Sequence, residues 1–293
     1  MPGYRCFLQN QGGKDLKNVN ETKKFALQIR YEAINMMYRH GFGHVGGSLS
    51  IADAMAVLYQ DEMKYDPENP KWEGRDFLVM SKGHCGPALY SALALKGFFP
   101  VEELLTINDI GTRLPSHCDK NKTPGIDMTT GSLGQGVSCA LGMAMGLKTQ
   151  GRDNMVFSII GDGESQEGQV WETMLIAPNT GVKNFIVMLD NNKQQLDDYT
   201  DNISPLGDMR QKAEDFGWHA VSVDGHDVEA IYNAIEECKA SDKPGFIVLN
   251  TVKGKGWPAI EGQPGNHAFR TPVFKAKDAD AILEQMSADL AAM

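Results

Sequence analysis

No stretch of this chain is apolar for long enough to form a membrane helix: the ~18 uninterrupted residues required occur nowhere in its 293 positions. Basic residues are in deficit, with 28 Lys and Arg against 38 Asp and Glu, a formal net charge of −10. That balance excludes general nucleic-acid or acidic-membrane binding, which needs cationic surface, while leaving room for a local phosphate pocket. Cysteine is sparse. The five residues Cys6, Cys85, Cys118, Cys139 and Cys238 are odd in number and lack the spacing of a disulfide framework. The first 20 residues are polar and glycine-bearing, without the apolar segment of a secretory signal. The cytoplasm is the expected location.

What is present is an alternation of helix and strand signals. Residues 1–19 read as a loose arm. A first helix fits Glu21–His40, with Asn20 as cap, an apolar stripe through Phe25, Ile29 and Ala33, and Gly41 as stop. Ser50 and Asp53 have capping-box spacing, which predicts a second helix through Tyr59. Phe77–Met80 reads as a buried strand and Pro87–Lys96 as a helix stopped by Gly97. Residues 109–132 show turn residues without periodicity, the mark of a loop that is either functional or disordered. Gln135–Leu147 follows as a helix whose Ala140, Gly142 and Gly146 should let it pack closely on a sheet. Strands at 155–160, 185–189, 220–223 and 246–251 then alternate with helices at 208–216 and 228–239, before a terminal helix at 276–292. The pattern predicts a doubly wound, mainly parallel α/β sheet with helices on both faces. It would form one domain over residues 20–275, followed by a C-terminal helix, 276–293.

Two strand tips carry the chemistry. The run Met155–Ile160 leads into Gly161-Asp162-Gly163-Glu164, and Phe185–Leu189 leads into Asp190-Asn191-Asn192. Their separation suits one βαβ unit of roughly 30 residues. Parallel strands bring both tips to one sheet edge, where ligands of open α/β folds bind. An Asp and an Asn beside glycines suit a hard, oxygen-seeking cation that also takes a ligand's phosphates. The competing reading of Gly-Asp-Gly alone is a plain turn. A dinucleotide fingerprint does not fit, because its third glycine is missing, and no P-loop Gly-Lys-Ser/Thr occurs. Lys253-Gly254-Lys255-Gly256 reads as a solvated turn. Four of the seven histidines, His44, His84, His117 and His267, sit in Gly- or Pro-rich turns, where imidazoles can approach a ligand and move protons near neutral pH. A zinc site at His84-Cys85 and His117-Cys118 is the competing reading, but neighbouring His-Cys pairs lack the usual ligand spacing.

Gly-Asp-Gly followed by Asn-Asn resembles the thiamine-diphosphate motif, and the chain from about Tyr31 to His267 resembles the transketolase family. The resemblance implies Mg²⁺, or another divalent ion such as Ca²⁺ or Mn²⁺, on Asp162, Asn192 and the Gln194 main-chain carbonyl. It implies cofactor contacts from His84, Gly161, Gly163 and Glu164, with the NH groups of the following helix facing the diphosphate. In Thr129-Thr130-Gly131-Ser132-Leu133-Gly134-Gln135-Gly136, Gly131 and Leu133 would meet the aminopyrimidine. His44, His117 and His267 would contact the sugar, with His44 and His267 helping to remove a hydroxyl proton. Departures from the family pattern occur at Val45, at Ser132 and around His117 and His267. Glu167 and Glu172 match carboxylates that link the family's paired active sites, or else form an exposed helix face.

The resemblance further implies a pyrimidine-binding domain after the diphosphate-binding one, and the sequence contains no segment for it. The expected protein is therefore the diphosphate-binding subunit of a split transketolase, moving a two-carbon ketol unit from an anionic ketose to an aldose. Its partner would be a C-terminal subunit with the pyrimidine-binding and C-terminal domains, two copies of each chain assembling. The rival with the same cofactor is the α subunit of a 2-oxo-acid dehydrogenase. More distant rivals are a non-catalytic phosphate-binding protein and a nicotinamide oxidoreductase.

Overall fold

A computed structural model describes residues 16, 18–196 and 198–293, so Cys6 and nearly all of the expected arm lie outside the described residues. The first helix, α1 (Val19–His40), is capped by Asn18 rather than Asn20. The Asn18 carboxamide accepts from the N–H groups of Asn20 and Glu21 at 3.1 and 3.3 Å. Gly41 then ends the helix at φ 87°, a left-handed turn suited to glycine.

The expected capping box is a different device. After β1 (Phe42–Gly43) come α2 (Val45–Ser50) and α3 (Ala52–Val57), which relaxes into a π-turn over Leu58–Glu62. Ser50 donates its hydroxyl to Asp190 at 2.7 Å instead of capping a helix. Asp53 is spent on a buried ion pair with Arg30 of α1.

β2 (Phe77–Met80) and α4 (Gly86–Leu95) lie where expected. A long loop leads to α5 (Gln135–Thr149), β3 (Val156–Gly161), α6 (Gly168–Asn179) and β4 (Phe185–Asn191). A small hairpin, β5 (Gln194–Gln195) and β6 (Asp198–Tyr199), precedes α7 (Thr200–Ile203) and α8 (Met209–Asp215). β7 (His219–Asp224), α9 (Val228–Ala240) and β8 (Gly245–Asn250) complete the alternation. β9 (Phe269–Arg270) pairs antiparallel with β1. The single terminal helix expected is two, α10 (Thr271–Ala276) and α11 (Ala279–Ala292), broken where Asp278 takes φ 58°.

The main sheet runs β2-β3-β4-β8-β7, parallel throughout. β3 and β4 are buried on both faces, as parallel strands covered by helices must be. Val156 and Ile160 point into a core shared with α5, α6 and α8. Phe157 and Ile159 point the other way, toward α1, α3, α4 and α9. Gly142 and Gly146 do not approach the sheet, correcting the expected small face: a Cβ on either would meet nothing within 4 Å. Val137, Ala140, Leu141, Ala144 and Leu147 make that contact instead.

One buried polar cluster ties the second layer to the sheet. Arg30 Nη1 donates to Asp53 Oδ1 at 3.1 Å, and His226 Nδ1 lies 2.8 Å from Asp53 Oδ2. The Val252 N–H donates to His226 Nε2 at 2.8 Å, which makes Nδ1 the ring's donor toward Asp53. Burial opposes the Asp53 charge, but Arg30 and His226 outweigh it and hold the carboxyl down at about 2. Its contribution is therefore present above the ordinary carboxyl range and is lost as pH falls from there through about 2. Asp53→Ala strands the Arg30 charge, and urea unfolding at neutral pH should report a loss of about 3–5 kcal/mol. A loss below about 1 kcal/mol would mean that water reaches Arg30.

Candidate active site at the carboxyl edge of the sheet

The register pairs Gly161 of β3 with Asp190 of β4, so both strand tips emerge side by side. Asp162 and Asn192 follow immediately, and both are buried. Their oxygens converge. The Gln194 N–H lies 3.2 Å from Asp162 Oδ2 and 3.1 Å from Asn192 Oδ1. Burial first, and then the neighbouring Asp190 carboxylate, push Asp162 up to about 7. A divalent cation would relieve that penalty, and the convergent donors are the hard oxygens it prefers. Gln194 Oε1 and Gln195 Nε2 are buried beside them without a protein hydrogen bond. The residues present thus fit a cation held against a polar ligand.

The segment after Gly163 is a 3₁₀ turn, Glu164–Gln166, and the α-helix begins only at Gly168 with Glu167 as its cap. Glu164 has a bracing position. Its Oε1 accepts from the Gly134 N–H at 2.9 Å and from the Ser81 hydroxyl, and its Oε2 accepts from the Gly161 N–H at 3.0 Å. One carboxylate therefore joins the Gly-Asp-Gly turn to the loop that carries Gly131 and Leu133. Glu167 is exposed and Glu172, on α6, is exposed as well.

The four histidines come from four separate turns and meet. His44 caps α2, His84 lies in a 3₁₀ turn before α4, His117 lies in the long loop, and His267 precedes β9. The His44 ring centroid is 5.5 Å from that of His84, 5.4 Å from His117 and 5.3 Å from His267. His84 and His267 are 4.9 Å apart. Burial lowers all four; it takes His44 to about 4, and with Lys253 adding repulsion it takes His267 to about 3. At neutral pH the quartet is uncharged and each ring can accept a proton. Gly47 lies close by, where an added Cβ would sit 3.0 Å from Cys85 Sγ and 3.4 Å from His84 Nε2, a tight fit that favours glycine.

Every site residue expected from the sequence lines one cavity of about 390 Å³. These are His44, His84, His117 and His267 on one wall, Gly131 and Leu133 on another, and Gly161, Asp162, Gly163, Glu164, Asn192 and Gln194 at the strand tips. A larger cleft of about 540 Å³ around Lys148 and Arg152 contains none of them. Among the described residues no group of three or more His, Cys, Asp or Glu is arranged to hold a metal ion.

Sequence reasoning missed two lysines and an aspartate. Lys82 is fully buried and pairs with Asp190; burial opposes its charge, but Asp190 holds the ammonium above its ordinary value. Asp190 also accepts from Ser50, Thr251 and Asn192, so it anchors the floor of the site. Lys253 is buried, contrary to the solvated turn expected, and its Nζ donates to the Leu196 carbonyl at 3.0 Å. Burial lowers it and Asp162 partly restores it, leaving a cation without a salt bridge among the described residues at the cavity wall. The available signal was Gly254 and Gly256, at φ 79° and 88°, which bend the chain sharply just after Lys253.

A parallel sheet with convergent Asp162 and Asn192 oxygens, buried lysines and an imidazole wall at its carboxyl edge suits a diphosphate-cofactor-binding enzyme domain. The family model "Transketolase, thiamine diphosphate binding domain" matches residues 21–287. The chain is 50% identical over 261 residues to the 6-deoxy-6-sulfo-D-fructose transketolase subunit SqwG of Clostridium sp. strain MSTE9, covering 89% of this chain and 95% of that one. It is 35% identical over 234 residues to an apulose-4-phosphate transketolase subunit from Phocaeicola vulgatus, covering 80% and 83% respectively. The crystal structure of the Campylobacter jejuni transketolase superposes with a TM-score of 0.83 at 29% identity, covering 92% of this chain and 46% of that one. The chain belongs to the transketolase family. Its described fold is that family's thiamine-diphosphate-binding part, which sets aside the 2-oxo-acid dehydrogenase and nicotinamide readings.

Proposed function

We propose that this chain is the diphosphate-binding subunit of a thiamine-diphosphate-dependent transketolase, transferring a two-carbon ketol unit from an anionic ketose to an aldose. The observation that carries the reading is the meeting of four neutral imidazoles with an Asp162–Asn192 cation site in one cavity. When bound, thiamine diphosphate supplies a carbon nucleophile and an electron sink for cleaving the bond beside a ketone. Asp162, Asn192 and the Gln194 carbonyl would hold Mg²⁺, Ca²⁺ or Mn²⁺. Lys82, Lys253 and His84 would face the diphosphate charge. His44 and His267, uncharged and unblocked, would take the proton from the hydroxyl on the sugar's third carbon. His117 would orient the neighbouring hydroxyls.

Three relatives of matching length are named as subunits, which supports a separate partner carrying the pyrimidine-binding and C-terminal domains. Two copies of each chain is the assembly we propose, in the cytoplasm, where the buried free thiols Cys85, Cys118 and Cys238 would stay reduced. Ketol transfer from D-fructose 6-phosphate or 6-deoxy-6-sulfo-D-fructose to an aldose should be absent with this chain alone and appear when the partner is co-expressed. Turnover by the isolated chain would defeat the two-subunit reading. Failure of the complex with both ketoses would defeat the proposed reaction.

A further inference from the structure

We propose that His226, which lies outside the cofactor cavity, is a positioning residue for Lys253. Arg30 and Asp53 lock its ring, and the ring fixes the backbone from which the Lys253 ammonium would reach the diphosphate. The inference rests on the proposed cofactor site and names the device that aims one of its cations.

Lys253 needs aiming. Its side chain is buried and borders the cavity that holds Asp162 and the four histidines, whereas His226 does not line that cavity. Among the described residues Lys253 has no salt bridge, and its Nζ makes one hydrogen bond, to the Leu196 carbonyl at 3.0 Å. A flexible four-carbon stem therefore depends on its surroundings for direction. The stem lies against Gly46 of α2, where a Cβ would come within 2.8 Å of Lys253 Cγ and 3.0 Å of its Cε. The backbone supplies the rest. The Gly254 N–H donates to the Gly46 carbonyl at 3.0 Å, and the Lys253 carbonyl accepts from the Gly262 N–H at 2.8 Å. Thr251 donates its hydroxyl to Asp190. Between them, the Val252 N–H has a side-chain acceptor, His226 Nε2, at 2.8 Å.

Three elements prepare that acceptor. His226 lies in the turn between β7 and α9, and its own N–H donates to Asp224 Oδ1 at 2.9 Å. A neutral imidazole accepts at one nitrogen only, and the partner of the other nitrogen decides which. Asp53 Oδ2, on α3, lies 2.8 Å from Nδ1 and takes that proton, which leaves Nε2 for Val252. Arg30, on α1, donates to both oxygens of the same carboxylate. An ion pair between Arg30 and Asp53 satisfies both charges without a histidine. What the ring adds is a rigid link from that pair to the residue before Lys253.

The test uses the complete complex with the partner subunit, titrated calorimetrically with thiamine diphosphate in Mg²⁺. An asparagine amide keeps a donor at the place of Nδ1 but does not reach that of Nε2, whereas a glutamine carbonyl does. His226→Asn should therefore weaken cofactor affinity roughly tenfold, the scale of losing a residue that orients a ligand-contacting group. His226→Gln should stay within about threefold of wild type. Lys253→Met should weaken affinity ~10-fold or more, as loss of a charge-assisted contact does. The effects should not add: in the Lys253→Met background, His226→Asn should change affinity by less than about twofold. Hydrogen exchange at the Val252 amide reads the link without the cofactor, and should quicken about tenfold or more in His226→Asn but not in His226→Gln. Unchanged affinity in His226→Asn, an equal loss in both backgrounds, or a loss in His226→Gln as large as in His226→Asn would overturn the assignment. A wild-type complex that binds thiamine diphosphate but transfers no ketol unit would defeat the proposed reaction and leave this result standing. One that binds no thiamine diphosphate would defeat both.

Discussion

Replacing Asp162 with alanine should lower thiamine-diphosphate affinity in the presence of Mg²⁺ by ~100-fold or more, because the carboxylate proposed as a direct ligand to a hard cation would be lost. The chain should remain folded. Asp162 lies beyond the end of β3, outside both apolar cores. Its charge is also costly in the cofactor-free protein, because burial and Asp190 raise it to about 7. A carboxyl raised on folding costs nothing below its ordinary range, and the cost grows with pH until it is complete above about 7. The unloaded Asp162→Asn variant should therefore be the more stable at pH 8, by roughly 4 kcal/mol at most. The same shift gives wild-type binding a pH dependence. Only the ionised carboxylate ligates well, so Mg²⁺-dependent affinity should climb as pH rises through about 7. Titrations across that range, with and without Mg²⁺, check this directly. Unaltered affinity in Asp162→Ala would remove the cation from this strand tip.

His267→Ala should reduce kcat by ~100-fold or more, the usual size of one acid–base contribution, with little change in cofactor affinity. Burial and the ammonium of Lys253 hold His267 down at about 3, so the ring carries no proton at neutral pH, as the proposed base role requires. kcat should therefore lack an inflection from His267 at any pH near neutrality. Stability shows the complementary effect. Four imidazoles lowered by burial resist protonation in the folded chain, while the unfolded chain takes up protons near the ordinary value of 6.5. Their neutral packing costs nothing above that value, and stability falls progressively as pH drops below it. Steady-state kinetics with the partner present and urea midpoints across pH measure the two effects. Normal turnover in His267→Ala would return the residue to the class of ordinary loop histidines.

The strand tips were legible because fully apolar runs ending in Gly-Asp-Gly and Asp-Asn-Asn leave little choice about direction or edge. The histidines were legible because glycine and proline surrounded them. Other features were decided by packing that local sequence does not express. Val45–Ser50 is helical despite Gly46 and Gly47, because every one of its residues is buried. Ser50 and Asp53 carry capping letters, yet their side chains satisfy Asp190 and Arg30, partners far away in the chain. Gly142 and Gly146 have the right spacing for close packing, but the helix presents its other face to the sheet. Lys82 and Lys253 were hidden by the expectation that lysines in loops are solvated. The buried Asp190 inverts that rule for Lys82, and a backbone carbonyl does so for Lys253.

The imidazole wall has one more property. Its four rings lean on one another through edges and faces, with no hydrogen bond from ring to ring among the described residues. A neutral imidazole offers one donor and one acceptor, and moving a proton between its nitrogens exchanges them. Each ring thus keeps a choice of tautomer, and the wall as a whole is a pattern of polarity that can be rewritten without moving an atom heavier than hydrogen. A fixed set of amides would match hydroxyls of one configuration only. In the proposed reaction His44, His117 and His267 would meet a hydroxyl as donor or as acceptor, so a shared framework would serve sugars that differ in handedness at successive carbons.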